Sequence, residues 1–182
     1  IGTHGIHNVS NALAALAVGH TVGMSANTMI KGLERFRPAA MRSQIQRRRG
    51  ITIIRDCYNA NPASMKAAID LLVEMGKGKV TFAVLGDMFE LGKNTKQLRR
   101  EIGEWVAAKK GSCLIACGAL GKEMAKGVQS TGRHSTKVFE VPLVKEASFL
   151  LKDMIRRGDV LLIKGSRGMK MEQVFEEGLK AP

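Results

Sequence analysis

Asp56-Cys57-Tyr58-Asn59-Ala60-Asn61-Pro62 puts a carboxylate, a phenol and two carboxamides between an apolar run, Ile51-Thr52-Ile53-Ile54, and a helical one, Ala63-Ser64-Met65-Lys66-Ala67-Ala68-Ile69. In α/β proteins ligands bind where strands end and helices begin. The first amides of such a helix attract anions. Asp56 at that point can accept hydrogen bonds from ribose hydroxyls, while Asn59 and Asn61 each offer a donor and an acceptor. An Asx turn feeding a Pro-initiated helix accounts for the same residue types. Both readings stand at this level.

Two further strand ends are polar. Leu85-Gly86-Asp87-Met88-Phe89-Glu90-Leu91-Gly92 places two acids three apart, suited to an ammonium group or a metal, or simply to a loop between turn glycines. Lys164-Gly165-Ser166-Arg167-Gly168-Met169 offers two cations and a hydroxyl for a carboxylate or phosphate; solvated loop charge is the alternative. Arg42 and His7-Asn8 with Asn11 complete the set. Asn8 and Asn11, three apart, share one helical face, as a cap or surface pair also would. A triphosphate cradle needs G-x-x-x-x-G-K-[ST]. The nearest stretch, Gly118-Ala119-Leu120-Gly121-Lys122-Glu123, has the wrong spacing and a Glu where the hydroxyl belongs. No complete catalytic set and no metal-ligand spacing is present.

The elements that must hold these residues follow from periodicity. Asn8 to Val22 reads as a helix with Leu13, Leu16 and Ala17 on one face. A second helix, capped by Ser25, carries Met29, Ile30 and Leu33 and ends before Pro38. Gln44 to Ile54 reads as a hairpin turning at Arg49-Gly50. Strands then alternate with helices: strands over Lys79–Leu85, Ser112–Ala116, Lys137–Phe139 and Val160–Ile163, and helices near Pro62–Met75, Thr95–Lys109, Leu120–Gln129, Leu143–Arg156 and Lys170–Leu179. Val80 to Leu85 and Val160 to Ile163 are apolar without a break, as strands buried on both faces are. The predicted fold is α/β: a Rossmann-like domain with a mostly parallel sheet over 39–182, preceded by a helical tail, 1–38, of a neighbouring domain.

Composition agrees. A chain of 182 residues, 45% hydrophobic and 25% charged, builds one core without disulfides or metals. Its three cysteines, Cys57, Cys113 and Cys117, form no C-x-x-C pair and suit a reducing, cytoplasmic setting. No apolar run reaches the length of a membrane span. The chain shows no signal peptide and begins without Met inside a loop, as a fragment would. The net charge of +13 invites a nucleic-acid partner. Its basic pairs, Arg47 to Arg49, Arg99-Arg100, Lys109-Lys110 and Arg156-Arg157, are instead dispersed, mostly to helix ends and turns, with almost no aromatic residue for base stacking. Small polyanionic substrates, phosphates above all, explain a basic surface equally well.

Taken together the motifs resemble the Mur ligases of peptidoglycan synthesis. His7-Asn8-Val9-Ser10-Asn11-Ala12-Leu13-Ala14-Ala15 is similar to their H-N-x-x-N-x-x-A-A signature. The stretches from Asp56, Leu85 and Lys164 resemble those of members that add D-alanyl-D-alanine to UDP-N-acetylmuramoyl-tripeptide. The likeness covers nearly the whole chain, in order. It implies an ATP- and Mg2+-dependent ligase of three domains, with this chain the end of the central ATPase domain and the C-terminal domain. It further implies that Asn8 and Asn11 lie near adenine, and that Arg42 and Asp56 reach the nucleotide's ribose and phosphates. Tyr58, Asn59, Asn61, Asp87, Ser166 and Arg167 would face the dipeptide, with the metal held by the missing part. The expected state is a monomer, inactive alone. The His that members often carry after the Gly-Asp-Met loop is absent from Gln97-Leu98-Arg99-Arg100-Glu101, and Glu140-Val141-Pro142-Leu143 is less acidic than their pattern. A stand-alone nucleotide- or dipeptide-binding module is the competing function.

Overall fold

The structure, a computed structural model, describes residues 2–178. Helices α1 (Ile6–Thr21) and α2 (Ala26–Arg35) come first. Ser25 caps α2, its hydroxyl accepting from the Thr28 amide at 3.3 Å. Their periodic apolar faces are real but only partly covered: Leu16, Met29 and Leu33 are half-buried, whereas Leu13 is 61% and Ile30 52% exposed, and α2 buries no residue fully. Periodicity reports that a helix has an apolar face, not that a partner lies within the same stretch.

Strands β1 (Gln44–Arg48) and β2 (Ile51–Asp56) form the antiparallel hairpin. Arg49 and Gly50 both have positive φ, 51° and 77°, the two-residue turn whose twist matches its strands. The alternation then runs α3 (Pro62–Met75), β3 (Thr81–Leu85), α4 (Thr95–Ala108), β4 (Cys113–Cys117), α5 (Gly121–Ser130), β5 (Lys137–Val141), α6 (Val144–Met154), β6 (Val160–Lys164) and α7 (Glu172–Gly178). Leu179, at the end of the last predicted helix, lies outside the described residues. Helix α6 stops two residues short of Arg156 because Ile155 turns extended, ψ 139°, and Asp159 takes the Arg156 amide at 2.7 Å.

The six strands make one sheet in the order β1-β2-β6-β3-β4-β5, parallel from β2 onward. Alternate side chains serve opposite faces. Ile54, Leu85, Leu114 and Leu162 pack under α3, α4 and α5. Ile53, Val84, Ile115 and Ile163 pack against α6 and α7. Strand β6, inserted between β2 and β3, is buried throughout, which is why its sequence is apolar up to Lys164. That insertion brings the ends of three chain-distant strands side by side.

Candidate functional site

The cleft at the carboxyl end of the sheet is built around a cross-strand pair. Asp56 ends β2 and lies opposite Lys164, which ends β6. The Lys164 ammonium donates to Asp56 Oδ2 at 2.6 Å and to the Asn59 carbonyl at 2.9 Å. Lys164 is 1% exposed. A charge that deep is tolerated only when paired and hydrogen-bonded. An ammonium carries three donors, and these acceptors engage two. The other Asp56 oxygen accepts from the Ser43 amide at 3.1 Å. Opposite, the Tyr58 amide donates to the Met41 carbonyl at 3.2 Å. Segment 41–43 is thus clamped onto the turn after β2, with Met41 and Ser43 held at φ 60° and 43°. Such strain collects at functional sites. It presents Arg42, whose guanidinium stacks 4.1 Å from the Tyr58 ring centroid.

The rest of the turn is both cap and wall. Asn61 starts α3 with a capping box, its side chain accepting from the Ser64 amide at 2.8 Å while Ser64 Oγ accepts from the Asn61 amide at 3.1 Å. Pro62 has no N–H and Ser64 is satisfied internally, so this helix start is a weaker anion site than its residue types suggest. Asn59 Oδ1 accepts from the Ala60 amide at 2.8 Å. Cys57, inside the motif, is a filler: burial pushes its thiol up to about 12 and its Sγ donates to the Ile163 carbonyl at 3.3 Å. A thiolate nucleophile is excluded there.

From the other side α1 supplies Asn8 and Asn11. The Asn8 carboxamide donates to Thr3 Oγ1 at 3.1 Å and to the His4 carbonyl at 2.7 Å, and Asn11 donates to Asn8 Oδ1 at 3.3 Å. Asn8, Asn11, Arg42, Asp56, Tyr58, Asn59, Asn61 and Lys164 all line one cleft of about 550 Å³. That is the size range of small-ligand sites.

The other three sequence candidates lie off this lining. Asp87 is 5% exposed, paired with Arg99 Nε at 3.1 Å and accepting from the Leu120 amide at 3.4 Å. Ser166 Oγ accepts from the Phe89 amide at 2.9 Å, and the Ser166 amide donates to the Asp87 carbonyl at 3.0 Å. Arg167 pairs with Glu172 at 2.8 Å. Asp87 and Ser166 therefore tie the β3 and β6 loops together beside the cleft. Arg99-Arg100 is an exception to the reading of the basic pairs as lying mostly at helix ends and turns. Both sit in mid-α4, Arg99 buried against Asp87 and the Met88 carbonyl, and the half-exposed Arg100 paired with the buried Glu123 at 2.7 Å. Sequence reasoning placed Lys164 at a polar strand end but missed its pairing with Asp56. Its signal was a lysine closing a strand buried on both faces, which demands a counter-charge. Among the described residues no three His, Cys, Asp or Glu side chains come together as a metal site, and no helix is long and apolar enough to cross a membrane.

Residues 41–167 match the family described as Mur ligase, glutamate ligase domain. The chain belongs to the Mur ligase family. The UDP-N-acetylmuramoyl-tripeptide–D-alanyl-D-alanine ligase of Bacillus subtilis is 37% identical over 182 residues, covering 98% of this chain and 39% of the relative. That of Treponema pallidum is 34% identical, covering 93% and 36%. Among solved structures, MurF from Acinetobacter baumannii superposes with a TM-score of 0.85 at 29% identity, over 97% of this chain and 38% of that one. The MurF ligase of Thermotoga maritima in complex with ADP gives 0.78 at 25%, again over 97% and 38%. This Mur ligase chain spans under two fifths of the length of these relatives.

Proposed function

We propose that this Mur ligase chain is the C-terminal part of the ATP-dependent enzyme that joins D-alanyl-D-alanine to UDP-N-acetylmuramoyl-tripeptide in the cytoplasm. In this reading residues 1–38 end the central ATP-binding domain and 39–182 form the C-terminal domain. The exposed parts of the apolar faces of α1 and α2, Leu13 and Ile30 among them, support that division, because helices with such faces belong against further protein. The observation carrying the functional reading is the cleft itself. It unites Asn8 and Asn11 from the start of the chain with Arg42, Asp56 and Lys164 from the sheet.

ATP phosphorylates the tripeptide carboxylate, the dipeptide amine attacks the acyl phosphate carbonyl, and the tetrahedral adduct collapses with release of phosphate. For this the chain supplies positioning and charge. Asn8 and Asn11 are assigned to adenine, Asp56 to ribose hydroxyls, and Arg42, braced by Tyr58, to phosphate oxygens. Lys164 has a third donor to offer a ligand oxygen. Asn59, Asn61 and Tyr58, with Asp87, Ser166 and Arg167 beyond the cleft, are assigned to the dipeptide side. Asp87, Ser166 and Arg167 carry that role only if the loops they hold meet the dipeptide on closure. The Mg2+ ion is assigned to the remainder of the enzyme. Closing this domain over the ATP-binding one would exclude water and raise effective molarity.

The test is phosphate release from ATP with tripeptide and dipeptide present, alongside calorimetry with each ligand. The chain alone is expected to release none. Turnover by the chain alone would refute the reading, and micromolar binding of ATP or dipeptide by it would favour a stand-alone binding module.

A further inference from the structure

Eight of the chain's 29 basic side chains lie along one end of the sheet. The parallel strands start in step: Thr52 lies opposite Val160, Val160 opposite Thr81, Phe82 opposite Cys113, and Cys113 opposite Lys137. The loops leading into them therefore form a single rim, on the far side of the sheet from the cleft. In sheet order this rim carries Arg49 at the hairpin turn, Arg156 and Arg157 before β6, and Lys77 and Lys79 before β3. Lys110 precedes β4, Arg133 precedes β5 and Lys137 opens it; all eight are exposed. With strands about 4.8 Å apart, the row is roughly 20 Å long.

Little opposes this charge. Asp70 is engaged by Lys109 at 3.0 Å. Asp159 is buried and accepts from the Arg156 amide. Glu74 and Asp153 are the exposed carboxylates left on these loops and helix ends. The rim is also braced: the Gly158 amide donates to the Gly50 carbonyl at 2.9 Å, and Arg133 Nη1 to the Ala108 carbonyl at 3.2 Å. A depression of about 520 Å³ opens in it, with Lys137, Arg156 and the carboxylate of Asp153 among its walls and Val80, Phe82, Cys113 and Met154 supplying apolar surface. Cations beside an apolar floor suit a phosphate headgroup and its glycerol ester. None of the rim loops presents an exposed Phe, Tyr or Trp, so the stacking platforms of nucleic-acid sites are missing.

We propose that this rim docks on an anionic phospholipid bilayer, with the depression flanked by Lys137 and Arg156 taking one headgroup. A row of cations about 20 Å long fits a plane of phosphates better than one small anion. The docking is peripheral and independent of the ligase reading, since the cleft faces the other way.

The test is co-sedimentation of the 182-residue chain with vesicles of phosphatidylglycerol and phosphatidylcholine, against phosphatidylcholine alone, at ~0.1 M salt. Binding to the anionic vesicles alone is expected, weakening as salt rises. Each basic side chain near such a surface contributes about fivefold to partitioning. The quadruple variant Lys77→Gln, Lys79→Gln, Lys137→Gln, Arg156→Gln is therefore expected to lose on the order of a hundredfold or more. Lys93→Gln, Lys96→Gln, Lys122→Gln, Lys145→Gln removes the same charge from the cleft side and is expected to keep most binding. Circular dichroism checks that both are folded. Equal binding to neutral vesicles, equal loss in the two variants, or displacement by millimolar inorganic phosphate would overturn the proposal. So would duplex DNA bound as tightly as the anionic vesicles, which would make the rim a nucleic-acid surface.

Discussion

Replacing Lys164 with Met tests whether the Asp56–Lys164 pair holds the cleft together. Met is close in length and volume to Lys, so the apolar stem stays packed and no large cavity opens. What is lost is the 2.6 Å ion pair and the 2.9 Å hydrogen bond to the Asn59 carbonyl. Removing one member of a buried pair typically costs ~3–5 kcal/mol, because the other charge stays buried without compensation. The Asp56 side chain is 13% exposed and keeps the Ser43 amide, so water can reach it and the low end applies, ~3 kcal/mol. At an unfolding entropy of about 2.1 cal/mol/K per residue, a chain of 182 residues loses about 8 °C in midpoint. Adding Asp56→Asn removes the orphaned charge while retaining an acceptor, so the double variant is expected to recover about half of the loss. Urea and thermal unfolding of the four proteins in the cycle give the coupling. A Lys164→Met variant within ~0.5 kcal/mol of the parent, or strict additivity in the double variant, would refute the pair as the organiser of this cleft.

Three more outcomes follow from the core and its charges. Burial pushes the thiols of Cys57 and Cys117 up to about 12 and Cys113 to about 11, so a thiol reagent at neutral pH is expected to label none in the folded chain and all three after denaturation. The unfolded thiols ionise near 9 while the folded ones do not, so they make stability fall as pH rises above that value. A Cβ at Gly103 would run into the Met124 carbonyl on α5, so Gly103→Ala is expected to separate α4 from α5 and lower stability by ~3 kcal/mol, measured by urea unfolding. Arg100 and Lys126 hold the Glu123 carboxyl below its ordinary 4.5. Its contribution is present above that pH and lost as pH falls through the depressed value. Glu123→Gln is therefore expected to be less stable than the parent at pH 7, with the difference closing in acid.

Much of the architecture was legible because each signal was local. Val160 to Ile163 is continuously apolar, Arg49-Gly50 is a turn, and Asn61-Pro62 starts a helix; each needs only its neighbours to be read. The Asp56–Lys164 pair was not legible, since it depends on β6 entering between β2 and β3 and joins residues 108 apart. The same long-range pairing hid the roles of Asp87 and Ser166, whose partners, Arg99 and the Phe89 amide, are set by how loops meet. At the Asp56–Pro62 turn the two readings coexist: Asn61 is the helix cap and also a wall of the cleft. The faces of α1 and α2 were legible as apolar, but what covers them is not a property of those residues.

The central claim, that this chain supplies one half of a ligase site, is tested most directly by exchange. The chain replaces the corresponding C-terminal segment of the Bacillus subtilis relative, to which it is 37% identical. Ligated product and phosphate release are then measured with ATP, UDP-N-acetylmuramoyl-tripeptide and D-alanyl-D-alanine. The account expects the chimera to form product, the chain and the truncated relative each to form none, and Asp56→Ala in the chimera to abolish turnover. A folded chimera that binds ATP yet forms no product, or product from the chain alone, would contradict it.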